Sequence, residues 1–261
     1  MSKTSNIYEP SDSLTTRVSR RFVRYQHINK LNIKTNRPIV SFTFDDCPKS
    51  VVEKAFPILD QHNWKSTLYM AMGLCNTTNH LGLHMSEEDV SNAYKAGHEI
   101  GNHTFSHMDA RRVTQDAFLA DVLKNEAALR QINIPQASTF AYPYGEITHQ
   151  TKKLLSNIFD LSRGIHTPKS TQHFDLNQIA SQRLYSGDDF KACSNALKAL
   201  QDKPGWLIIF THDVREAPSD YGCTPQEFNF IVNLVKTIGA DVMTVAEALN
   251  TFKSKHISRA A

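Results

Sequence analysis

Ser41-Phe42-Thr43-Phe44-Asp45-Asp46 is a β-branched and aromatic run that ends in two adjacent carboxylates. Further along, His103-Thr104-Phe105-Ser106-His107 supplies two histidines four residues apart. A strand ending in Asp-Asp, followed by His-x-x-x-His, holds what a three-ligand metal site with a separate carboxylate base requires. The two imidazoles can converge on one ion, and one carboxylate can complete the set. The other carboxylate is then left to handle protons.

Around this pair the chain alternates between strand-like and helix-like segments. Strands are predicted at Ile39 to Phe44, Ser66 to Met72, His98 to Asn102, Ser138 to Tyr142, Trp206 to Phe210 and Asp241 to Thr244. Trp206-Leu207-Ile208-Ile209-Phe210 is nearly all apolar, as in a parallel strand covered on both faces. Helices are predicted at Val51 to His62, Val90 to Ala96 after the capping box of Ser86, and Thr114 to Gln131. Thr224-Pro225-Gln226-Glu227 joins a capping box to proline at the first helical position and predicts a helix to about Ile238. Val245 to Phe252 closes the pattern. Such alternation implies an α/β fold with a parallel sheet. The reactive candidates Asp45, Asp46, His103, Tyr144 and His212 all fall just after predicted strands, where a parallel barrel gathers its catalytic groups. An open doubly wound sheet would place ligands there too, but no glycine-rich phosphate loop occurs.

Composition narrows the function. With 261 residues, 40% of them apolar, the chain can bury the core of one domain with an extension. A net charge of only +3 argues against nucleic-acid binding through bulk charge. Basic residues concentrate early, at Arg17, Arg20, Arg21, Arg24, Lys30, Lys34 and Arg37, and read as a solvated helix face or an arm packed on the domain rather than a functional patch. The four cysteines lack CxxC spacing, so neither a zinc ribbon nor a disulfide framework is indicated. No signal-peptide-like or membrane-spanning run is present, and a cytoplasmic location is the expectation.

Each motif alone is weak, because Asp-Asp is usually a solvated turn and the chain has 12 histidines to draw on. Together they resemble the polysaccharide deacetylase family, the NodB-homology domain. Thr43-Phe44-Asp45-Asp46 matches its first motif and His98-Glu99-Ile100-Gly101-Asn102-His103-Thr104-Phe105-Ser106-His107 its second. Phe140-Ala141-Tyr142-Pro143-Tyr144-Gly145 matches a variant of the third, and Ile209-Phe210-Thr211-His212 the last. The resemblance implies a distorted (β/α) barrel of about seven parallel strands over residues 38–255, with residues 1–37 as an extension. It implies a metal-dependent hydrolase that removes acetyl groups from N-acetylated carbohydrates. Asp46, His103 and His107 would hold a divalent ion, with Zn²⁺ the expectation, although cobalt or nickel would also suit the set. Asp45 would be the base, the Tyr144 backbone N–H an oxyanion donor and His212 the acid. Tyr142, Pro143, Tyr144 and Ile209 would contact substrate.

Two departures from the family pattern stand out. An arginine that commonly orients the catalytic aspartate is replaced by Ala141, and Arg163, in the strand-like Leu161-Ser162-Arg163-Gly164, is the expected substitute. No tryptophan occupies the fourth motif; Trp64 and Trp206 lie near strand starts, at the wrong end of a barrel. Two other readings remain open on sequence: an O-acetyl esterase or cyclic-amide hydrolase on the same site, and a carbohydrate-binding protein without catalysis.

Overall fold

A computed structural model of the chain describes residues 8–257. Its main sheet contains β1 (Ile39–Asp45), β2 (Thr67–Met70), β3 (Glu99–Asn102), β4 (Thr139–Ala141), β5 (Leu161–Arg163), β6 (Gln182–Arg183), β7 (Trp206–Thr211) and β8 (Asp241–Val242). The order is β6-β7-β1-β2-β3-β4-β5, every pairing is parallel, and β8 lies beside the start of β1. The sheet curls into a half-barrel. The outer edge of β5 bonds to Leu176 and Ile179, on the segment leading into β6, which brings the two ends of the sheet together.

Strand alternation decides what faces the interior. From β1, Val40, Phe42 and Phe44 point outward into the main core, and both phenylalanines pack against Phe228. Ser41, Thr43 and Asp45 point the other way; Ser41 accepts the Trp206 indole N–H at 3.0 Å and Thr43 donates to the Ile209 carbonyl at 3.1 Å. All seven β1 residues are buried, so a fully covered strand still keeps a polar inner row. Trp206 does lie at the start of β7, at the far end from the site.

The helices are α1 (Leu14–Val23), α2 (Phe56–Asp60), α3 (Glu87–Lys95), α4 (Gln115–Gln131), α5 (His149–Leu155), α6 (Asp188–Asp202), α7 (Pro225–Thr237) and α8 (Val245–Ile257), the last packed on Ile39, Trp206 and Ile208 at the strand starts. The capping boxes read from sequence form at Ser86/Asp89 and Thr224/Glu227. The helix expected over Val51 to His62 differs: Val51–Ala55 is a π-turn and only Phe56–Asp60 is α-helical. Pro57 explains the change, because it has no N–H for the i→i−4 bond and the Phe56 N–H reaches back to Val51 instead. The N-terminal segment is tied to the domain. Lys30–Asn32 pairs antiparallel with His173–Asp175, and the buried Lys152 ammonium donates to the Val23 carbonyl at 3.2 Å.

His98, just before β3, is buried and stacked on Phe56 with ring centroids 4.0 Å apart. Its Nδ1 accepts from the Ser66 N–H at 3.2 Å. Burial, reinforced by Lys65 and opposed by Asp60, pushes its pKa down to about 4 from 6.5. The folded state therefore stays unprotonated while the unfolded chain takes up a proton. Stability should fall as pH drops from about 6.5 toward 4 and level off below. His98→Gln should flatten that fall in denaturant midpoints; an unchanged slope would remove His98 as a source.

Candidate active site

The site lies on the turns that follow the strand C-termini. Asp45 is the last residue of β1, Asp46 and His103 directly follow β1 and β3, and His212 directly follows β7. Three site residues have left-handed backbones: Asp46 at φ 56°, His107 at φ 52° and Tyr144 at φ 57°. In an L-residue that conformation costs about 1–2 kcal/mol, so the surrounding structure must hold each turn in place.

Asp46, His103 and His107 offer one ligand atom each, all within 4.8 Å of one another. The His103 Nδ1–H donates to the Ala141 carbonyl at 2.7 Å, which leaves Nε2 for the cluster. The Nε2 atoms of His103 and His107 lie 3.6 and 3.3 Å from Asp46 Oδ1. That buried oxygen nevertheless has no hydrogen-bond donor. Burial pushes the His103 pKa down to about 4, with His107 adding to the effect, and lowers that of His107. For Asp46 burial works against ionisation, but the imidazoles of His107, His103, His212 and His84 outweigh it and lower its pKa. Two neutral imidazoles and one carboxylate, with an orphaned oxygen between them, fit a divalent cation.

Asp45 is held differently. Its Oδ2 accepts from Arg163 Nη2, while its Oδ1 is buried without a partner. Arg163 is fully buried, donates through Nη1 to Ser181 Oγ and the Gly164 carbonyl at 3.3 Å, and lies between the rings of Tyr69 and Phe210. In the parallel register of β4 and β5, Ala141 is the residue opposite Arg163. The guanidinium thus comes from the neighbouring strand at the level where Ala141 has none to offer.

His212 Nδ1–H donates to the Tyr221 carbonyl at 3.1 Å. A backbone carbonyl thus orients the ring. Asp213 points away, accepting from the Ser219 N–H at 2.9 Å and pairing with Arg215 at 2.7 Å. No backbone carbonyl among the described residues accepts the Tyr144 N–H.

Asp45, Asp46, His103, His107, Tyr144 and His212 line one cavity of about 920 Å³, and Arg163 and Asp213 do not. Tyr142 and Tyr144 are among its walls; Pro143 and Ile209 are not. Ile209 points outward into the main core, and the alternation of β7 turns Phe210 inward in its place. Sequence reasoning missed Phe210, Tyr185 and Tyr221, which surround His212, and Tyr8, whose ring meets that of Tyr144 at 4.8 Å. For Phe210 the signal was there, since it shares the strand face of His212.

Fold and site define a class: curled (β/α) barrels that gather a His₂Asp cluster and a separate carboxylate at the strand C-termini. The chain belongs to the polysaccharide deacetylase family, whose model matches residues 32–158. It is 31% identical over 123 residues to the peptidoglycan-N-acetylglucosamine deacetylase of Bacillus cereus, covering 45% of this chain and 40% of that protein. It is 23% identical over 170 residues to the putative polysaccharide deacetylase YxkH of Bacillus subtilis, covering 63% and 59%. The chain therefore spans roughly half the length of these curated relatives. Among solved structures, the chitin deacetylase of Colletotrichum lindemuthianum superposes with a TM-score of 0.61 at 17% identity, covering 82% of this chain and 89% of that one. A family 4 acetyl xylan esterase from Clostridium thermocellum, in complex with a cobalt ion, gives 0.57 at 21% identity, covering 83% and 92%. At these identities the structures establish the fold.

His103→Ala and His107→Ala should each abolish metal retention after dialysis, read by elemental analysis of the folded protein. Full occupancy in both variants would place the metal elsewhere.

Proposed function

We propose that this protein hydrolyses the N-acetyl group of an N-acetylated sugar, oligosaccharide or polysaccharide precursor, giving a free amine and acetate. The observation that carries the reading is the state of Asp45: one carboxylate oxygen is fixed by a buried guanidinium, and the other is bare beside the His₂Asp cluster. A carboxylate serving only structure would have both oxygens engaged.

Asp46, His103 and His107 would hold the ion. When bound there, a divalent metal, with zinc the best match to the ligand set, would acidify the attacking water and polarise the acetyl carbonyl. Asp45 takes the proton of that water on its free Oδ1, and Arg163 fixes the rotamer of the carboxylate. The Tyr144 N–H, free of backbone partners, can donate to the oxygen that gains charge as the carbonyl carbon becomes tetrahedral. Breaking the C–N bond then needs a proton on the nitrogen, because an amine anion is too basic to leave. His212 delivers it from Nε2, since Nδ1 is committed to the Tyr221 carbonyl. The missing tryptophan leaves the acetyl-binding wall to Tyr185, Phe210 and Tyr221, the aromatic groups around His212.

Acetate release from N-acetylglucosamine oligomers tests the reading. Asp45→Asn should keep its metal and lose on the order of 10²–10⁴-fold in turnover; loss of the metal would reverse the roles of the two aspartates.

Arg163→Met should cost about 10–100-fold in turnover with metal content unchanged, because the Asp45 rotamer is no longer fixed. Adding Ala141→Arg to that variant should restore part of the rate from the neighbouring strand. No recovery in the double variant, with both proteins folded, would limit Arg163 to a structural role.

His212→Ala should impair amides far more than activated esters, whose leaving groups need no proton. Equal losses on both would remove His212 as the acid.

A further inference from the structure

Helix α1 has two faces in contrasting surroundings. Its inner side is fastened: Val23 is buried, Arg20 pairs with Glu146, and Ser19 accepts from Arg111 Nη1 at 3.1 Å. The outer side carries Leu14, Val18 and Phe22, four residues apart and so stacked along one stripe. They are 76%, 59% and 67% exposed, and Tyr25, in the turn that follows, is 70% exposed. These are the four most exposed large apolar side chains among the described residues. Scattered surface apolar residues need no explanation, but a continuous stripe on one helix does.

The polar residues beside the stripe identify what would cover it. At 100° per residue, Arg17, Arg21 and Arg24 line one edge of the apolar arc. Arg17 is paired with Asp12, whereas Arg21 and Arg24 have no acidic partner among the described residues. Residues 8–37 contain seven Lys or Arg against Glu9 and Asp12 alone. A second copy packed stripe to stripe would bring two arginine rows together with no carboxylate between them. An apolar partner would leave the guanidinium groups unanswered. A bilayer surface containing anionic lipid satisfies both: the apolar side chains enter the headgroup–acyl boundary and the arginines meet lipid phosphates. No described helix is long and apolar enough to cross a membrane, so contact would be in plane.

We propose that α1 docks the protein on an anionic lipid surface. Arg20 and Arg24 of this segment, with Pro10 and Asp12 before it, also line the cavity that holds Asp45 and His212. Docking therefore puts one wall of the reaction cavity at the lipid headgroups. Taken with the deacetylation reading, on which this consequence rests, it makes the substrate class an N-acetylated sugar carried on a lipid.

The test is co-sedimentation of the full chain with phosphatidylcholine vesicles, with and without phosphatidylglycerol. Wild-type protein should bind the anionic vesicles and bind less as salt rises. Val18→Ser with Phe22→Ser should weaken binding ~10-fold or more, since apolar burial of a phenylalanine alone carries about that factor. Arg21→Glu should weaken it about fivefold or more, and only on anionic vesicles. None of these residues lines the cavity, so acetate release from soluble oligomers should stay at the wild-type rate in every variant. Absence of vesicle binding, or equal binding to neutral vesicles, would overturn the proposal. A wild-type dimer in sedimentation, made monomeric by the serine pair and indifferent to lipid, would assign the stripe to a second copy instead. Vesicle binding does not depend on the reaction: wild-type binding without acetate release from any substrate would leave the docking intact and remove the deacetylase reading.

Discussion

The buried pair of Arg163 and Asp45 is the constraint around which the barrel and the site are both arranged. Neither charge could remain alone in the interior, where each ion would cost several kcal/mol. In the sheet order, β1 and β5 are separated by β2, β3 and β4. In a flat sheet, strands about 4.8 Å apart would set them roughly 19 Å from each other. Their side chains meet only because the sheet curls, so the fold and the ion pair require one another. Besides the adjacent Gly164 carbonyl, the guanidinium's remaining contacts, Ser181 Oγ and the faces of Tyr69 and Phe210, come from the segment that leads into β6, from β2 and from β7. One side chain thus joins opposite sides of the barrel at the level of the chemistry.

That arrangement explains why the arginine can change strands. Residues opposite one another in a parallel pair lie at the same height and point to the same side. Moving the guanidinium from position 141 to position 163 therefore shifts its origin by one strand while its target stays in reach. It also demands a small residue at the vacated position. Ala141 is fully buried, and its carbonyl serves the site by accepting the His103 Nδ1–H. The same residue thereby leaves room for the Arg163 guanidinium and fixes the orientation of the His103 imidazole.

What was legible in the sequence was whatever depends on local periodicity or spacing. The two-residue alternation of Ser41 to Asp46, the apolar run of β7 and the capping boxes at Ser86 and Thr224 each translate directly into backbone. The Asp-Asp and His-x-x-x-His groups could be found because their residue types are rare together at strand ends. Less was legible where the information is not local. Strand β6 has two residues, too few to show a period, and α6 buries Cys193, Ser194, Leu197 and Leu200, a polar-interrupted stripe that was not assigned. The orientation of His212 comes from a backbone carbonyl, which no side-chain pattern advertises. Ile209 and Phe210 are both large and apolar; only the phase of the strand decides which one reaches the cavity.

The N-terminal segment shows how far the site depends on residues outside the motifs. Tyr144 holds a left-handed turn, and a turn of that kind persists only if its surroundings enforce it. Glu146, two residues on and almost fully buried, accepts Arg20 from α1 on one oxygen and pairs with Arg111 at 2.6 Å on the other. Tyr8 packs its ring edge-on against Tyr144 and donates its hydroxyl to Asp109, on the loop just after His107. The turn at Tyr144, the loop after His107 and α1 are therefore tied to one another. A helix whose outer face meets its surroundings is rigidly connected, through Arg20 and Glu146, to the turn that would donate to the reacting oxygen. The basic segment that read as a solvated helix face or an arm packed on the domain packs on it in the folded chain, and Tyr8, Pro10, Asp12, Arg20 and Arg24 line the cavity.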